Sequence, residues 1–467
     1  MAETSNLYLK EQELIKQYPK DQLLARRNFV VEDLLKYIGI TVDFGHLPQG
    51  YLGLYHQDFL VEEVTTDGRL IDILPQTASC PAPADNQNKT LYADLVKVGL
   101  STVESSQELA RLLDLPLEKI SYAGIKDKVA ITAQQISITD ADYQKINQLK
   151  TKAMFLKNYH WGQGNIYKGK LRGNQFTIII RTPVTLGQGW LDSQLERYRD
   201  GFYNFYYLQR FGFVSARPFG HIIGRLILQE KYEAAVKMFM TDNNFQDVPL
   251  LNQIRNQAKE NFGNWKKLEE IFSQLPYTFG LENEMAKYLQ KSPKDYSGAI
   301  KVDLDRFTLW VYGYGSYLFN LHLSKLINEK RKIPKRLPLL LNSKYKQIDT
   351  YVENLANDKI TDLEGVLKRI FNKEIMRPQN TCATVAPIKI IAARIFNKGV
   401  VLSFRLPLGS YATTFLSHLF LLYRGLPLAE WVDQQRYESK KILGSGSLEP
   451  VEKIFKDYLF NQILESS

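Results

Sequence analysis

The chain has 467 residues, of which 44% are hydrophobic and 24% are charged, and its formal net charge is +10. This composition is typical of a globular protein with sizeable cores, and the length predicts two or three domains. The two cysteines, Cys80 and Cys382, form no C-x-x-C motif, which argues against a disulfide framework or a zinc site and indicates a reducing compartment. The basic excess is modest for this length and favours a nucleic-acid partner only weakly.

Signals for secretion and for membrane insertion are absent from the sequence. Residues 1–20 are rich in Glu and Lys and lack the apolar stretch of a signal peptide. No apolar run approaches the roughly 18 residues that a membrane-spanning helix requires. We therefore expect an intracellular protein without a membrane partner, cytoplasmic or, in a eukaryote, nuclear.

Residues 1–45 predict an N-terminal helical extension. Gly39 suits the end of a helix there. The apolar side chains that recur at helical spacing before it are Val31, Leu34, Leu35 and Ile38. The turn cluster at 46–50, His-Leu-Pro-Gln-Gly, separates this extension from the rest of the chain.

After residue 50 the pattern becomes mixed α/β. Ser101 and Glu104 form a capping-box pattern that opens a helix, which closes before Pro116. We expect the apolar face of that helix to contain Val103, Leu109, Ala110 and Leu113. Alternating or β-branched patterns predict strands at 59–64, 134–139, 175–181 and 400–406.

The stretch 236–382 differs from its surroundings because it is mainly helical and charged. Strand signals lie on both sides of it. The sequence therefore predicts one α/β domain, formed by 46–235 and 383–467, into which a helical domain is inserted.

The run at 124–134, Gly-Ile-Lys-Asp-Lys-Val-Ala-Ile-Thr-Ala-Gln, contains the first candidate for chemistry. A Lys-Asp-Lys triplet after a glycine is usually just a solvated turn. Flanking ammonium groups can, however, keep a carboxylate such as Asp127 ionised even when it is partly buried. Such a carboxylate can attack an electrophilic carbon or remove a proton without a metal or cofactor. The triplet alone leaves both interpretations open, and acids that could act with Asp127 are Asp43, Asp58, Glu62 and Glu63.

The aromatic-rich run at 202–213 is the second candidate. Most aromatic clusters pack in a core. Here Asn204, Gln209 and Arg210 are interleaved with the rings, and such groups can contact base edges or phosphates while an aromatic face stacks a base. One ring of this run could therefore hold a flipped nucleotide.

Other familiar site patterns are missing. The sequence has no HExxH, P-loop or G-x-S-x-G motif, and its six histidines are scattered, so we expect no metal and no cofactor. Gly444-Ser445-Gly446 is more typical of a flexible turn than of a dinucleotide site. The basic run 330–336, Lys-Arg-Lys-Ile-Pro-Lys-Arg, is more typical of a solvated face than of an RNA contact or a localisation signal.

Taken together, these runs resemble the TruD family of pseudouridine synthases. Six motifs occur in the family's order across most of residues 50–420. They are Phe-x-Val-x-Glu at 59–63, the Gly-x-Lys-Asp-Lys run at 124–134, Arg-Gly-Asn-x-Phe at 172–176, Asn-Phe-Tyr-x-x-Gln-Arg-Phe-Gly at 204–212, Ser-Tyr-Leu-Phe-Asn at 316–320 and Leu-Pro-x-Gly-Ser-Tyr-Ala-Thr at 406–413.

The resemblance implies an α+β fold. A pseudouridine-synthase catalytic domain with an antiparallel sheet would be interrupted by a mainly helical α/β TRUD insertion domain at 236–382, giving a V-shaped molecule with an RNA cleft. It also implies an isomerase that converts a uridine in tRNA, typically at position 13, to pseudouridine without a cofactor. We expect a monomer.

The resemblance also implies roles for single residues. Asp127 matches the essential aspartate, which could attack the sugar, attack the base or take the C2′ proton, and Tyr206 matches the ring that stacks on the target base. Active-site support is expected from Lys126, Asn204, Glu63, Phe59, Gln209, Arg210 and Tyr411. RNA contacts are expected from Lys128, Arg172, Lys330 and Arg331.

One departure from the family concerns the first strand. Many relatives carry a basic residue and a proline upstream of it, where this chain has Gly53 and His56. Loss of this cation would alter how the site balances the charge of Asp127 or binds the target phosphate, unless Lys126, Lys128 or Arg405 substitutes for it.

Two other functions compete with the isomerase. A non-catalytic RNA-binding or tRNA-folding protein could retain the cleft, although the intact Asp127 and Tyr206 argue against it. A methyltransferase would need a glycine-rich strand–turn–helix for adenosylmethionine, and the sequence contains none.

Overall fold

The computed structural model describes residues 11, 14–19, 31–84, 90–212, 219–243, 248–340, 349–371, 381–425, 428–456 and 458. The chain forms two compact units. The helical unit contains 1–44 and Asn204–Val385, and the sheet unit contains Gly45–Tyr203 and Ala386–Ser467. The helical unit thus begins before the edge at 235 that the change in composition predicts, and it includes the N-terminal segment.

A single large sheet organises the sheet unit. The strands of the protein, in chain order, are β1 (Gln49–Leu52), β2 (Phe59–Val64), β3 (Thr90–Val98), β4 (Ile120–Tyr122), β5 (Ile131–Thr139), β6 (Met154–Gly162), β7 (Gly173–Arg181), β8 (Phe202–Tyr203), β9 (Arg336–Pro338), β10 (Thr381–Ala383), β11 (Val385–Ala386), β12 (Lys389–Phe396), β13 (Gly399–Pro407) and β14 (Leu421–Tyr423). The main path is β12-β13-β7-β2-β5-β3-β6, with β1 and β14 attached beside β7 and β4 beside β5. Pairing is antiparallel except between β2 and β5 and between β1 and β14.

The predicted strands are confirmed. The four predicted segments fall within β2, β5, β7 and β13, and β2 and β7 are buried along almost their whole length. Polar side chains of these strands, such as Glu62, Glu63 and Arg181, are therefore buried together with the apolar ones.

The helices, in chain order, are α1 (Val31–Tyr37), α2 (Thr102–Leu113), α3 (Tyr143–Asn147), α4 (Gln188–Arg197), α5 (Gly220–Leu228), α6 (Tyr232–Thr241), α7 (Pro249–Glu260), α8 (Trp265–Phe272), α9 (Gly280–Lys291), α10 (Tyr296–Ile300), α11 (Leu304–Asn328), α12 (Val352–Asn357), α13 (Leu363–Ile370), α14 (Ala412–Leu416), α15 (Ser439–Leu443) and α16 (Glu449–Phe455). In the described part of the chain, none of them is long and apolar enough to cross a membrane.

The capping box at the start of α2 is confirmed. The Ser101 hydroxyl accepts a hydrogen bond from the Glu104 N–H, and the Glu104 carboxylate accepts one from the Ser101 N–H. The expected apolar face needs one correction. Leu109, Ala110 and Leu113 are buried, but Val103 is 39% exposed because the buried face passes through Thr102, Ser105 and Ser106 instead.

The 25-residue helix α11 is the centre of the helical unit. Helix α5 packs against it at Gly224, where an added Cβ would lie 2.2 Å from the Trp310 carbonyl oxygen. Only a glycine permits this close approach. Because α5 packs tightly on α11, α5 belongs to the helical unit even though it precedes residue 235. In the N-terminal segment, α1 and the buried Leu34, Leu35 and Ile38 agree with the predicted helix, while most of residues 1–30 lie outside the described ranges.

Candidate active site

The Asp127 loop, defined here as residues 124–130, connects β4 to β5 in the sheet unit. Two buried side chains hold its backbone. The Thr102 hydroxyl accepts a hydrogen bond from the Lys126 N–H (2.8 Å), and the Gln134 side-chain amide donates one to the Gly124 carbonyl oxygen (3.1 Å). Thr102 also donates to Gln134 (2.8 Å), so both anchors belong to one network. Because Thr102 opens α2 and Gln134 lies in β5, rigid elements fix the loop.

The lysines on either side of Asp127 do not clamp it. The Lys126 ammonium lies 2.6 Å from the Glu63 carboxylate, and both side chains are buried. The Lys128 ammonium lies 2.7 Å from the Glu104 carboxylate in an exposed pair. The expected clamp is therefore wrong in its geometry, since each ammonium is paired with a glutamate. Asp127 itself is exposed, and among the described residues its carboxylate has no hydrogen-bond or ion-pair partner.

A buried lysine that lies outside the sequence motifs also contacts the Asp127 loop. Lys97 is fully buried in β3, and its ammonium donates a hydrogen bond to the Asp127 carbonyl oxygen (3.0 Å). Burial lowers the pKa of Lys97 to about 8, an effect that Lys126 strengthens and that Asp127 and Glu104 oppose. The sequence signal was a lysine between Val96 and Val98, at a position that a central strand would bury.

Polar side chains also line the sheet beside the loop. In β2, the Glu63 carboxylate accepts a hydrogen bond from the Gln135 N–H (3.3 Å), and Glu63 pairs across the sheet with Asn174 of β7. The Asn174 side-chain oxygen is buried and, in the described part of the chain, has no hydrogen-bond partner. A buried polar atom without a partner is costly, which makes this oxygen a candidate contact for a bound ligand.

Of the other acids considered from the sequence, Asp58 and Glu62 have partners of their own in the sheet unit. Asp58 forms a fully buried ion pair with Arg181 (2.5 Å). Glu62 accepts hydrogen bonds from Lys440 (3.2 Å) and Gln175 (3.3 Å). Asp43 belongs to the helical unit.

The remaining predicted residues of the sheet unit differ in exposure. Phe59 is buried and packs edge-on against Phe176 (ring centroids 6.2 Å apart), so it is part of the core. Arg172 is exposed immediately before β7. Tyr411 is 40% exposed and immediately precedes α14, whose Phe415 packs on the core.

A different arginine lies near Gly53, where the sequence lacks the expected upstream cation. Arg405 donates a hydrogen bond to the Gln175 side chain (2.8 Å), so it is occupied, like Lys126 and Lys128. Gly53 has a φ of +65°, and the Arg424 Nε lies 3.8 Å from the place where a Cβ at Gly53 would be. Burial and Arg424 together lower the pKa of His56 to about 4. A cation is therefore present near this position, although it comes from a distant part of the chain.

Tyr206 lies at the start of the helical unit, where Asn320 of α11 holds its backbone. The Asn320 side chain accepts a hydrogen bond from the Tyr206 N–H (2.9 Å) and donates to the Tyr206 carbonyl oxygen (2.7 Å). Phe319 packs edge-on against the half-buried Tyr206 ring (5.4 Å), and the Arg210 guanidinium lies 5.5 Å from the ring centroid. The expectation that most rings of this run pack in a core is confirmed for Phe202, Phe205, Tyr207 and Phe211, while Phe213 lies outside the described residues.

The polar residues of the aromatic-rich run at 202–213 mainly bond other groups of the protein. Asn204 is buried, and its side chain donates hydrogen bonds to the Ala383 carbonyl oxygen (3.2 Å) and the Cys382 sulfur (3.6 Å). Arg210 donates to the Ser316 hydroxyl (3.2 Å). Gln209 is half-buried.

The basic run contains exposed side chains in the helical unit. Lys330 is exposed, and the exposed Arg331 lies 3.3 Å from the Glu329 carboxylate. Arg336 opens β9 and donates to the Thr381 hydroxyl (2.6 Å). Among the described residues, no cluster of three or more His, Cys, Asp or Glu side chains could hold a metal ion.

The contacts of Asn320 generate a prediction about stability. Substitution Asn320→Ala would remove the buried hydrogen bonds that Asn320 makes to the Tyr206 backbone and to the Ile38 carbonyl oxygen, so we expect a loss of roughly 1–3 kcal/mol in the free energy of unfolding. Hydrogen exchange of the Tyr206 amide, followed by mass spectrometry, should become faster. Ser324→Ala is the matched control, because Ser324 lies one turn later on α11 and bonds Gly39 and Thr41 instead. Equal protection of Tyr206 in both variants would contradict the role of Asn320.

Comparisons with known proteins show which family this chain resembles. A family model described as tRNA pseudouridine synthase D (TruD) matches residues 48–338. A relative from Methanosarcina barkeri, named "Probable tRNA pseudouridine synthase D", is 30% identical over 64% of this chain and 65% of its own length. A relative from Methanocaldococcus jannaschii, named "Probable tRNA pseudouridine synthase D 2", is 26% identical over 78% of this chain and 90% of its own length.

A solved structure shows the same fold. It is titled as the putative tRNA pseudouridine synthase D from Methanosarcina mazei, has a TM-score of 0.59 and 24% identity, and the match covers 84% of this chain and 98% of that one. The α+β fold expected from the sequence is thereby confirmed. The chain spans just under two thirds of the length of the Methanosarcina relatives it matches, at 64–65%. Because the family match covers well over half of its residues, the chain belongs to the TruD family.

Proposed function

We propose that this protein isomerises a specific uridine in RNA to pseudouridine and that the substrate is a tRNA, with a position of the type of residue 13 as the target. The observation that carries the proposal is the Asp127 loop. Its backbone is fixed by buried groups of rigid elements, while its carboxylate is exposed and unpaired among the described residues. Family membership supports the same reaction.

The reaction sets clear demands on these residues. The C1′–N1 bond must break, the uracil must turn, and C5 must then bond to C1′ and lose its proton. In our proposal Asp127 is the essential carboxylate, which attacks the sugar, attacks the base or takes the C2′ proton. The loop is held in place before the substrate arrives, so little ordering is needed at the moment of reaction.

Tyr206 is proposed to stack on the flipped uracil. Extrusion of a nucleotide costs a few kcal/mol, and stacking on an aromatic ring offsets about 1–3 kcal/mol of this. The Asn320 contacts support the role because they fix the backbone and leave the ring half-buried. Asn204, Gln209 and Arg210 would support the ring.

Further proposed roles follow from position and charge. Lys126 and Glu63 would stabilise the Asp127 loop as a buried pair. Tyr411 would contact the substrate from the sheet unit, whereas Phe59 would act through the core. The exposed Lys128, Arg172, Lys330 and Arg331 would contact phosphates. The proposed enzyme acts as a monomer in the cytoplasm, where tRNA is found, and its reaction consumes no cofactor.

The central test is conversion of uridine in a tRNA transcript by the wild type and by Asp127→Asn. We expect the variant to lose at least about 100-fold in the single-turnover rate, because an amide can neither attack nor take a proton. Asp114→Asn is the matched control, since Asp114 is an exposed aspartate of the same unit with φ +56°, which asparagine also tolerates. Full activity of Asp127→Asn would refute the assignment. A wild type that binds tRNA but forms no pseudouridine would favour the non-catalytic alternative.

The role of Tyr206 predicts a split between turnover and binding. Tyr206→Ala should lower the single-turnover rate far more than tRNA affinity, whereas Tyr206→Phe, which keeps the ring, should retain most of the rate. Single-turnover kinetics and filter binding measure the two quantities. Equal losses of rate and affinity in Tyr206→Ala would contradict a dedicated stacking role.

The basic run predicts a change in salt dependence. Replacing Lys330 and Arg331 together by alanine should weaken tRNA binding and flatten the plot of log affinity against log salt, because each lost phosphate contact lowers the slope by about 0.7–0.9. The control is the double replacement of Lys266 and Lys267, an exposed pair on α8. An unchanged slope in the first variant would identify 330–336 as ordinary surface.

A further inference from the structure

Lys97 is a buried cation with unusual partners. Its side chain is fully buried in β3, and its ammonium donates hydrogen bonds to the carbonyl oxygens of Leu100 (2.7 Å) and Asp127 (3.0 Å). An ammonium has three N–H groups, so one remains beyond these two contacts. The acceptor at Asp127 belongs to the very residue that carries the exposed carboxylate.

The charge of Lys97 is not neutralised by a carboxylate of its own. Among the described residues it forms no ion pair, although a buried charge normally requires one. Glu104, which acts on Lys97 through its charge, is already paired with Lys128, and Glu63 is paired with Lys126. The carboxylates of Asp127 and Glu104 attract the Lys97 ammonium, and the Lys126 ammonium repels it.

A second buried lysine shows what a purely structural arrangement looks like. Lys157 of β6 is also buried, and its ammonium bonds the Asp72 carboxylate (2.8 Å) and the Leu74 carbonyl oxygen (2.6 Å). The charge of Lys157 is thus balanced by a carboxylate. Lys97 differs because its positive charge faces the Asp127 loop without such a partner.

We propose that Lys97 is a positioning residue for the reaction: it holds the Asp127 backbone in place and supplies the positive charge that faces the Asp127 carboxylate. This inference rests on the proposed function. It does not require Lys97 to touch the substrate, since the ammonium acts through the Asp127 carbonyl and through its charge.

The inference predicts a distinctive pH dependence. Burial lowers the pKa of Lys97 to about 8, so the ammonium loses its proton as the pH rises through that value. The charged form is the active one, and the rate should therefore fall as the pH rises through about 8. The charged groups facing Lys97 are Asp127, Glu104 and Lys126. All three groups are unchanged in the variants below, so their titration is common to every profile.

The test is the pH profile of the single-turnover rate of the full chain on a tRNA transcript. Lys97→Met keeps the length of the side chain and removes its charge, so we expect a rate about 100-fold lower, as for a slightly misplaced catalytic group. The fall near pH 8 should disappear in this variant. Lys97→Arg keeps the charge to much higher pH and should retain more activity, without the fall near pH 8. Ionisation of the uracil would lower the rate at high pH in every variant. A fall caused by the uracil would therefore also be seen in Lys97→Arg.

Lys157→Met is the matched control for the loss of a buried ammonium. It should lower stability in thermal unfolding but leave the fall near pH 8 unchanged. Hydrogen exchange of the Lys126–Lys128 amides should increase in Lys97→Met and not in Lys157→Met. An unchanged profile in Lys97→Met, or the same change in Lys157→Met, would overturn the inference. A wild type that makes no pseudouridine at any pH would instead refute the proposed function.

Discussion

The candidate active site depends on one constraint, which is that the backbone groups of the Asp127 loop need hydrogen-bond partners. Residues 124–130 leave one strand and enter another, so their N–H and carbonyl groups cannot all be paired by the sheet. Side chains of β3, α2 and β5 supply the missing partners, through Lys97, Thr102 and Gln134. The loop is therefore as rigid as the elements below it, and its one exposed carboxylate is presented at a defined place.

In the helical unit, buried polar side chains of a helix likewise hold neighbouring segments by hydrogen bonds. Ser316, Asn320 and Ser324 are spaced by four residues and therefore lie on one face of α11. They bond Arg210, the Tyr206 backbone and the Gly39 carbonyl in turn. A stripe of buried polar groups on this long helix thus holds segments that have little regular structure of their own.

Much of this could be predicted from the sequence, and the failures share a cause. The strands and the capping box are local patterns, so they were predictable, and the Asp127 loop was recognisable from its motif. The partners of Lys126 and Lys128 were not, because Glu63 and Glu104 approach from other elements and compete with the adjacent Asp127. Lys97 and Asn320 are separated from their hydrogen-bond partners by 30 and 114 residues, respectively, and carry no local signal of those contacts. Phe59 was predicted as active-site support on its position in a motif, yet its ring packs in the core.

The order of the strands has a consequence for how the protein is made. The central strand β7 pairs with β2, which precedes it, and with β13, which follows the whole helical unit; Thr177 and Ser403 meet across this pair at a separation of 226 residues. The Arg181 guanidinium at the end of β7 also bonds the carbonyl oxygens of Asp433 and Gln435. During translation, this edge of β7 therefore stays uncovered until the helical unit and then β13 have been synthesised. A strand edge that is paired so late is a site at which the partly synthesised chain can aggregate.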